Sequence, residues 1–399
     1  MRPLGLRFTE PMEPTSTSRI VAAQRSDSPG PGILHPLSAR PQRRRRSSSS
    51  GAAPHWHTGL SANGPGDARA AERFLRSTTL APDTTLAPAT GPVLLHAARV
   101  LLHTGNPHRA AAWCAKLHPH VPTPAWATAF RALRAEALLQ LGEVSAAADE
   151  AARAVDTAGP RPGTLRLWPT AVRVEAVIVL GRYEEAAGHL EGPAPAPRWP
   201  AAPWFRARGR LHLAAHRYQD ALDTFRTTGR LALLHGNGRL PHLPWRSDAA
   251  ETLLRLGRTG QARAVLSEEL ALPGLGPRHR AVALRLLAVT DEPARRPHTL
   301  GSAIDELRRC KDRVELARSM ADLSHALDLL GDCSSRVFLR RATDLAADCG
   351  LSSAALETAY PSTPGRTAAP TSPQPRPGHA FREPASEAAP RHHTVGSAR

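Results

Sequence analysis

One short element recurs along the middle of this chain and limits its fold more than any other feature: an apolar stretch, a Gly-led turn, and an Ala five residues after that Gly. It reads GNPHRA from Gly105 to Ala110, GEVSAA from Gly142 to Ala147, GRYEEA from Gly181 to Ala186 and GRTGQA from Gly257 to Ala262. HRYQDA, from His216 to Ala221, is the same element with His in place of Gly, and GDCSSR at Gly331 is a degenerate copy ending on Arg336. Successive turns lie 37, 39, 35 and 41 residues apart, and the last gap is 74, twice 37, so one unit is concealed between Gly257 and Gly331. Periods of this length with such a turn are expected of helical hairpins that stack into a solenoid. Gly closes the first helix with a left-handed residue, and the small Ala lets the second helix approach closely. Each hairpin leaves an apolar face bare until a neighbour covers it, so residues 91–359 are expected to form six to seven hairpins.

Composition supports the same class. Hydrophobic residues make up 41% and aromatics only 4%, so the core must be built from Ala and Leu, strong helix formers, with too few β-branched and aromatic residues for a large sheet. The expectation is an all-α chain, a right-handed helical-hairpin solenoid. The net charge of +17 and pI near 11.2 invite a polyanionic partner. Only Lys116 and Lys311 are lysines, however, and so strong an Arg bias reads as coding composition more than selection for phosphate contacts. Cys114, Cys310, Cys333 and Cys349 show no C-x-x-C spacing and read as small helix-packing residues of a cytoplasmic protein. The longest strongly apolar run, AVIVL at 176–180, is far too short for a membrane span.

The flanks differ in kind. Residues 1–65, with RPQRRRRSSSSG from Arg40 to Gly51, and residues 360–399, rich in Pro, bury too little apolar surface to offset ordering entropy and are expected to be disordered. Residues 66–90 read as a linker with a short helix around Asp67 to Arg76.

The units resemble tetratricopeptide repeats, whose turn G-x-Y-x-x-A is matched best at GRYEEA and, without its Gly, at HRYQDA. Gly209, seven residues before His216, falls where that repeat places its other small residue. The stretches LPWRSDAAETLLRLGRTGQARAVLSEELAL from Leu243, VELARSMADLSHALDLLGD from Val314 and FLRRATDLAADCG from Phe338 are similar to the sensor region of large LuxR-type ATP-dependent regulators of actinobacteria. In that family a nucleotide-binding switch precedes the sensor and a helix-turn-helix follows it. Here there is no G-x-x-x-x-G-K-[ST], and a Pro-rich tail stands where the helix-turn-helix is expected. The expectation is a sensor region without its switch or its reader, so direct DNA binding is not expected.

The resemblance also supplies a register. Arg99, Glu136, Glu175, Arg210, Glu251 and His325 each stand six residues before a turn, in a slot that faces the concave groove of tetratricopeptide arrays. Stacking would line them into a polar ladder, with Arg206, Ser247, Arg255 and Asp328 in neighbouring slots; the plainer alternative is an ordinary solvent-facing helix side. Trp204, Trp245 and Arg246 sit at starts of first helices, where Trp either binds a ligand or caps the stack, and Pro203 and Pro244 suit helix starts. Arg43 to Arg46 beside four serines read as a solvated run or a nucleic-acid contact. His55 with His57, His118 with His120, and His392 with His393 give pairs without a converging third ligand, so no metal is expected. No G-x-S-x-G or H-E-x-x-H is present, and no cofactor is expected. The expected function is a non-enzymatic, cytoplasmic regulatory sensor that binds a protein, a peptide or a small-molecule inducer in its groove, with self-association as a further mode. The alternative is a freestanding scaffold for protein–protein interaction with no role in transcription.

Overall fold

The computed structural model describes residues 65–78, 86–87, 90–159, 163–234 and 243–357. Most of the N-terminal arm, the C-terminal tail, Arg43 to Arg46, and the His55 and His392 pairs lie outside them. Among the described residues all regular structure is helical.

Fifteen α-helices follow in chain order. Helix α1 (Pro65–Ser77) packs Ala68, Ala71 and Leu75 onto the first hairpin. Seven hairpins come next: α2 (Gly91–His103) with α3 (Pro107–Leu117), α4 (Pro124–Gln140) with α5 (Val144–Thr157), and α6 (Thr164–Val179) with the short α7 (Tyr183–Gly188). Then come α8 (Ala202–Ala214) with α9 (Tyr218–Leu234), α10 (Trp245–Arg255) with α11 (Thr259–Leu270), α12 (Pro277–Val289) with α13 (Arg296–Cys310), and α14 (Arg313–Leu329) with α15 (Ser335–Cys349). No helix among the described residues is long and apolar enough to cross a membrane.

Local chemistry accounts for the hairpins. In α4, Trp126, Ala129, Phe130, Leu133 and Ala137 recur at helical spacing and are all buried, and Thr123 caps its N-terminus by accepting from the Trp126 N–H. The turns share one backbone pattern: the N–H three residues past the helix end bonds back five residues, as in Asn106 N to Leu101 O (2.8 Å), Glu143 N to Leu138 O (3.0 Å) and Arg258 N to Leu253 O (2.8 Å). His216 takes the glycine's left-handed conformation at φ 57°, and its Nδ1 lies 2.8 Å from the Tyr218 hydroxyl. The turn alanines 110, 147, 186, 221 and 262 are fully buried. Gly209 does the reciprocal task, since a methyl there would strike the Phe225 ring.

The concealed unit is α12 with α13. Asp291 stands where the other turns have Gly, and the five-residue back-bond is replaced by a 3-10 turn over Pro293–Arg295, braced by the Arg296 Nε–H donating to Asp291 O. A turn built this way carries no Gly signature.

The stack does not leave an open groove. It curves until its ends meet: the turn of the first hairpin lies against Pro277 and Cys310, that of the second against Arg313 and Cys349, and that of the third against Ser352. A mixed cluster of Leu138, Val144, Val179, Val314 and Cys349 seals this seam. The His103 and His279 rings meet across it at 6.0 Å. The concave face is thereby closed into a central channel. Three of the four cysteines are buried as packing residues, whereas Cys333 is exposed at the turn before α15, which departs from the expectation for all four.

Candidate functional site

First helices line the channel because each second helix packs outward in its own hairpin. The cavity at its centre measures about 140 Å³. Five of the predicted ladder residues, Arg99, Glu136, Glu175, Arg210 and Glu251, line it, together with Arg206 and Ser247. They are not free groove charges; they form a paired network. Arg206 donates from Nε to Asp248 Oδ2 (2.6 Å) and from Nη1 to Glu175. Arg210 donates to Glu251 Oε2 (2.9 Å) and reaches Asp248 Oδ1 at 3.3 Å. Glu136 accepts from the Trp168 indole N–H (2.6 Å), and the Arg99 guanidinium lies 5.6 Å from the centre of that ring.

The opposite wall comes from residues the sequence register did not reach. Arg278 donates from Nε to Asp312 Oδ2 (2.6 Å), Arg285 from Nη1 to Asp322 Oδ2 (2.9 Å), and Arg318 from Nη1 to Glu315 Oε1 (2.8 Å). Glu315 also lies 3.5 Å from Arg285 Nε. Asp312 works twice, since its Oδ1 also caps α14 by accepting from the Glu315 N–H. One signal was available: Arg285 stands six residues before Asp291, the ladder slot of the concealed unit. Asp248 stands one helical turn before Glu251, on the same face.

The electrostatics follow from burial against pairing. Burial opposes the Arg206 charge, but Asp248 and Glu175 outweigh it and hold the guanidinium ionised. Burial likewise opposes the Glu251 carboxylate, yet Arg210, Arg285 and Arg318 hold its pKa down to about 2. Glu136 goes the other way: burial raises it, against the Trp168 N–H and Arg99. The cavity's remaining wall is mostly apolar, with Trp168, Trp199, Val172 and Ile178, interrupted by His103, Gln140 and His279.

The other predicted residues lie elsewhere. Trp245 and Arg246 do not line the cavity: the Trp245 ring covers Gly229 and joins Trp199, Ala202 and Leu231, and the Arg246 guanidinium stacks 4.5 Å from its centre. Trp204 is buried edge-on to its neighbour Phe205, with the Arg208 guanidinium 5.8 Å from the centre of its ring. His325 is also outside the cavity, because α14 meets the channel with its N-terminal residues while its later turns pack on Leu300 and Ile304. Asp328 is exposed, and Arg255 lines a second, adjoining cavity.

Behind Ser247 sits Glu269, 2% exposed, which accepts from the Ser247 hydroxyl at 2.6 Å. Burial raises its pKa to about 7, and Asp248 adds to the rise. An unfolded Glu protonates near 4.5, so between these values the folded state holds more protons, and stability falls as pH rises from about 4.5 to about 7. Glu269→Gln is therefore expected to be more stable than wild type at pH 8, by about 3 kcal/mol at most, and equal to it at pH 4.5. Urea unfolding at both pH values checks this; an equal difference at both would show that the carboxyl does not titrate in that range.

The chain matches no family model and no curated protein. Its fold is similar to that of solved structures of helical-repeat proteins. One is a Rap protein complexed with competence and sporulation factor, at 14% identity and TM-score 0.51, covering 66% of this chain and 77% of that one. Another is the Rap conjugation gene regulator of plasmid pLS20 in complex with the Phr* peptide, at 14% identity and TM-score 0.50, covering 71% and 83%. The likeness is one of fold: the chain is a tetratricopeptide-like helical solenoid.

Proposed function

We propose that this chain is a non-enzymatic regulatory sensor that binds an extended peptide, from an effector or a partner protein, in its central channel. The observation that carries the reading is the closure of seven hairpins around one cavity in which guanidinium and carboxylate groups alternate. Such walls present donors and acceptors in the mixture a peptide backbone requires, and Trp168 with Trp199 offers a berth for an apolar side chain. Among the described residues the cavity carboxylates are engaged by arginines or, at Glu136, by the Trp168 N–H, an arrangement suited to recognition and not to nucleophilic or acid–base chemistry. Two solved structures of similar fold hold peptide or factor ligands, which favours a peptide over a small-molecule inducer.

The sensor reading is finer than the binding reading. It draws on the likeness of α10, α11, α14 and α15 to the sensor region of LuxR-type regulators, and it places the protein in the cytoplasm. On this reading, the occupied channel changes the curvature of the stack or its self-association, and another chain contacts DNA. The freestanding scaffold is the alternative, with the same channel and no effect on transcription.

Arg210→Ala combined with Glu251→Ala tests the binding claim. The pair leaves together, Asp248 keeps Arg206, and the net charge is unchanged, so the fold is expected to persist. Peptides released by acid from the purified wild type are identified by mass spectrometry and resynthesised. The double variant is expected to bind them about tenfold or more weakly; unchanged affinity would sink the proposal. Transcript profiling of cells carrying the double variant separates sensor from scaffold, since a scaffold alters no defined gene set.

A further inference from the structure

After α15 the chain turns at Gly350, φ 69°, and runs back across the stack as a half-buried strap, Leu351–Glu357, in which Ser353–Leu356 form a short 3-10 helix. Its contacts come from hairpins far apart in sequence. The Ser352 N–H donates to Val179 O at the end of α6 (3.0 Å), meeting one of that helix's unpaired carbonyls. Arg318 Nε of α14 donates to Ala355 O (2.9 Å), and Arg255 of α10 reaches Glu357 O at 3.4 Å and its carboxylate at 3.9 Å. Leu356 packs against the apolar cluster that includes Leu300, Ile304 and Met320.

This grip is the kind a binding site applies to a bound peptide. It acts chiefly through main-chain groups, the Ser352 N–H and the carbonyls of Ala355 and Glu357, so it would hold other sequences, and it ends on a carboxylate. The strap also fills its seat poorly. A second cavity of about 120 Å³ remains beside Ala354, Ala355 and Glu357, and it shares Ile178, Arg210, Glu251, Arg285 and Arg318 with the central cavity. The two cavities are thus consecutive stretches of one channel, and the strap lies at the mouth of the second. The arginines there divide in two: Arg210, Arg285 and Arg318 keep Glu251, Asp322 and Glu315 as partners within the stack, whereas Arg255 is paired with the strap's own Glu357. With the strap away, Arg255 would lose the Glu357 carboxylate and Arg318 the Ala355 carbonyl, and both would be open to an incoming peptide's carboxylate and main chain.

We infer that this mouth is a binding site for a short peptide segment that carries a carboxylate, and that Leu351–Glu357 is its resident occupant, an internal ligand that an incoming peptide must displace. The inference deepens the channel reading by stating how the channel is entered and what chemistry enters it. A tethered strap acts at a high effective concentration, so a free peptide competes poorly until the strap is weakened.

The probe is a fluorescein-labelled peptide of sequence LSSAALE, residues 351–357, titrated by fluorescence anisotropy against three full-length chains. These are wild type, Leu356→Asp with Glu357→Ala, and that double variant with Arg318→Ala added. Releasing the strap is expected to tighten probe binding about tenfold or more, and Arg318→Ala to abolish the gain. A released chain with unchanged circular dichroism that binds no better than wild type overturns the inference, as does binding indifferent to Arg318. Should the released chain fail to fold, saturating probe on wild type must speed hydrogen exchange at the Ser352 amide; no change overturns the inference by itself. If the strap result fails while the Arg210/Glu251 variant still loses its peptides, the channel reading stands and only the strap's role falls.

Discussion

Arg285→Leu is expected to destabilise this protein by about 3–5 kcal/mol, because it strands buried carboxylates. Arg285 is 3% exposed, and its partner Asp322 is 1% exposed. Taking either charge out of water costs several kcal/mol, offset here by the 2.9 Å pair and, for Arg285, the fields of Glu315 and Glu251. Removing one partner leaves that desolvation cost uncompensated. Adding Asp322→Leu should recover most of the loss, since Glu315 keeps Arg318 at 2.8 Å and Arg278 at 3.8 Å. Urea unfolding of wild type, both single variants and the double variant gives the coupling directly. With total stability of a domain commonly about 5–15 kcal/mol, the single change should be obvious in any melt. A loss below about 1 kcal/mol would mean that water reaches the pair and the channel wall is solvated.

The second large effect separates two glycines that look identical in the sequence. Gly142 and Gly257 both end a first helix in the left-handed region, at φ 80° and 71°. A methyl on Gly257 meets nothing within 4 Å, so Gly257→Ala should cost only the conformational term, about 1–2 kcal/mol. A methyl on Gly142 would overlap Cys349 Sγ and press on Arg313 Cβ, across the seam that closes the channel. Overpacking adds about 1–3 kcal/mol, for a total of about 2–5. Two readouts mark the seam as the cause. The buried Cys349 thiol should become reactive to a thiol reagent in Gly142→Ala and stay protected in Gly257→Ala, with the exposed Cys333 as internal control. Cys349→Ala should then restore part of the stability of Gly142→Ala and none of that of Gly257→Ala. Equal costs at the two glycines, without any change in thiol reactivity, would mean the ends do not close in solution.

Much of the candidate site was legible once the repeat register was set. The slot six residues before each turn placed Arg99, Glu136, Glu175, Arg210 and Glu251 on the channel, since helical period carries that face from one hairpin to the next. It placed His325 there too, and this residue lies outside because α14 meets the channel earlier along its length. Arg278, Arg285, Asp312, Glu315 and Arg318 were not read, although Arg285 occupied the slot of a unit whose turn had exchanged Gly for Asp291. Trp245 and Arg246 were drawn toward the groove by residue type and by their place at the start of a first helix, where capping the stack was the other reading; the structure places the Trp245 ring on Gly229 of the preceding hairpin, with Arg246 stacked on it.

What the sequence determined by itself is the hairpin. Helix propensity, the turn residue in the left-handed region and the small residue five positions on act within about forty residues, so each can be read where it stands. Curvature is different. A small rotation per hairpin, set by side-chain packing between neighbours, accumulates until the turn of the second hairpin meets Cys349 of the seventh. No local pattern encodes that meeting. It is what turns an open polar face into a closed channel, buries the ladder so that its charges must pair, and lets the strap reach the mouth.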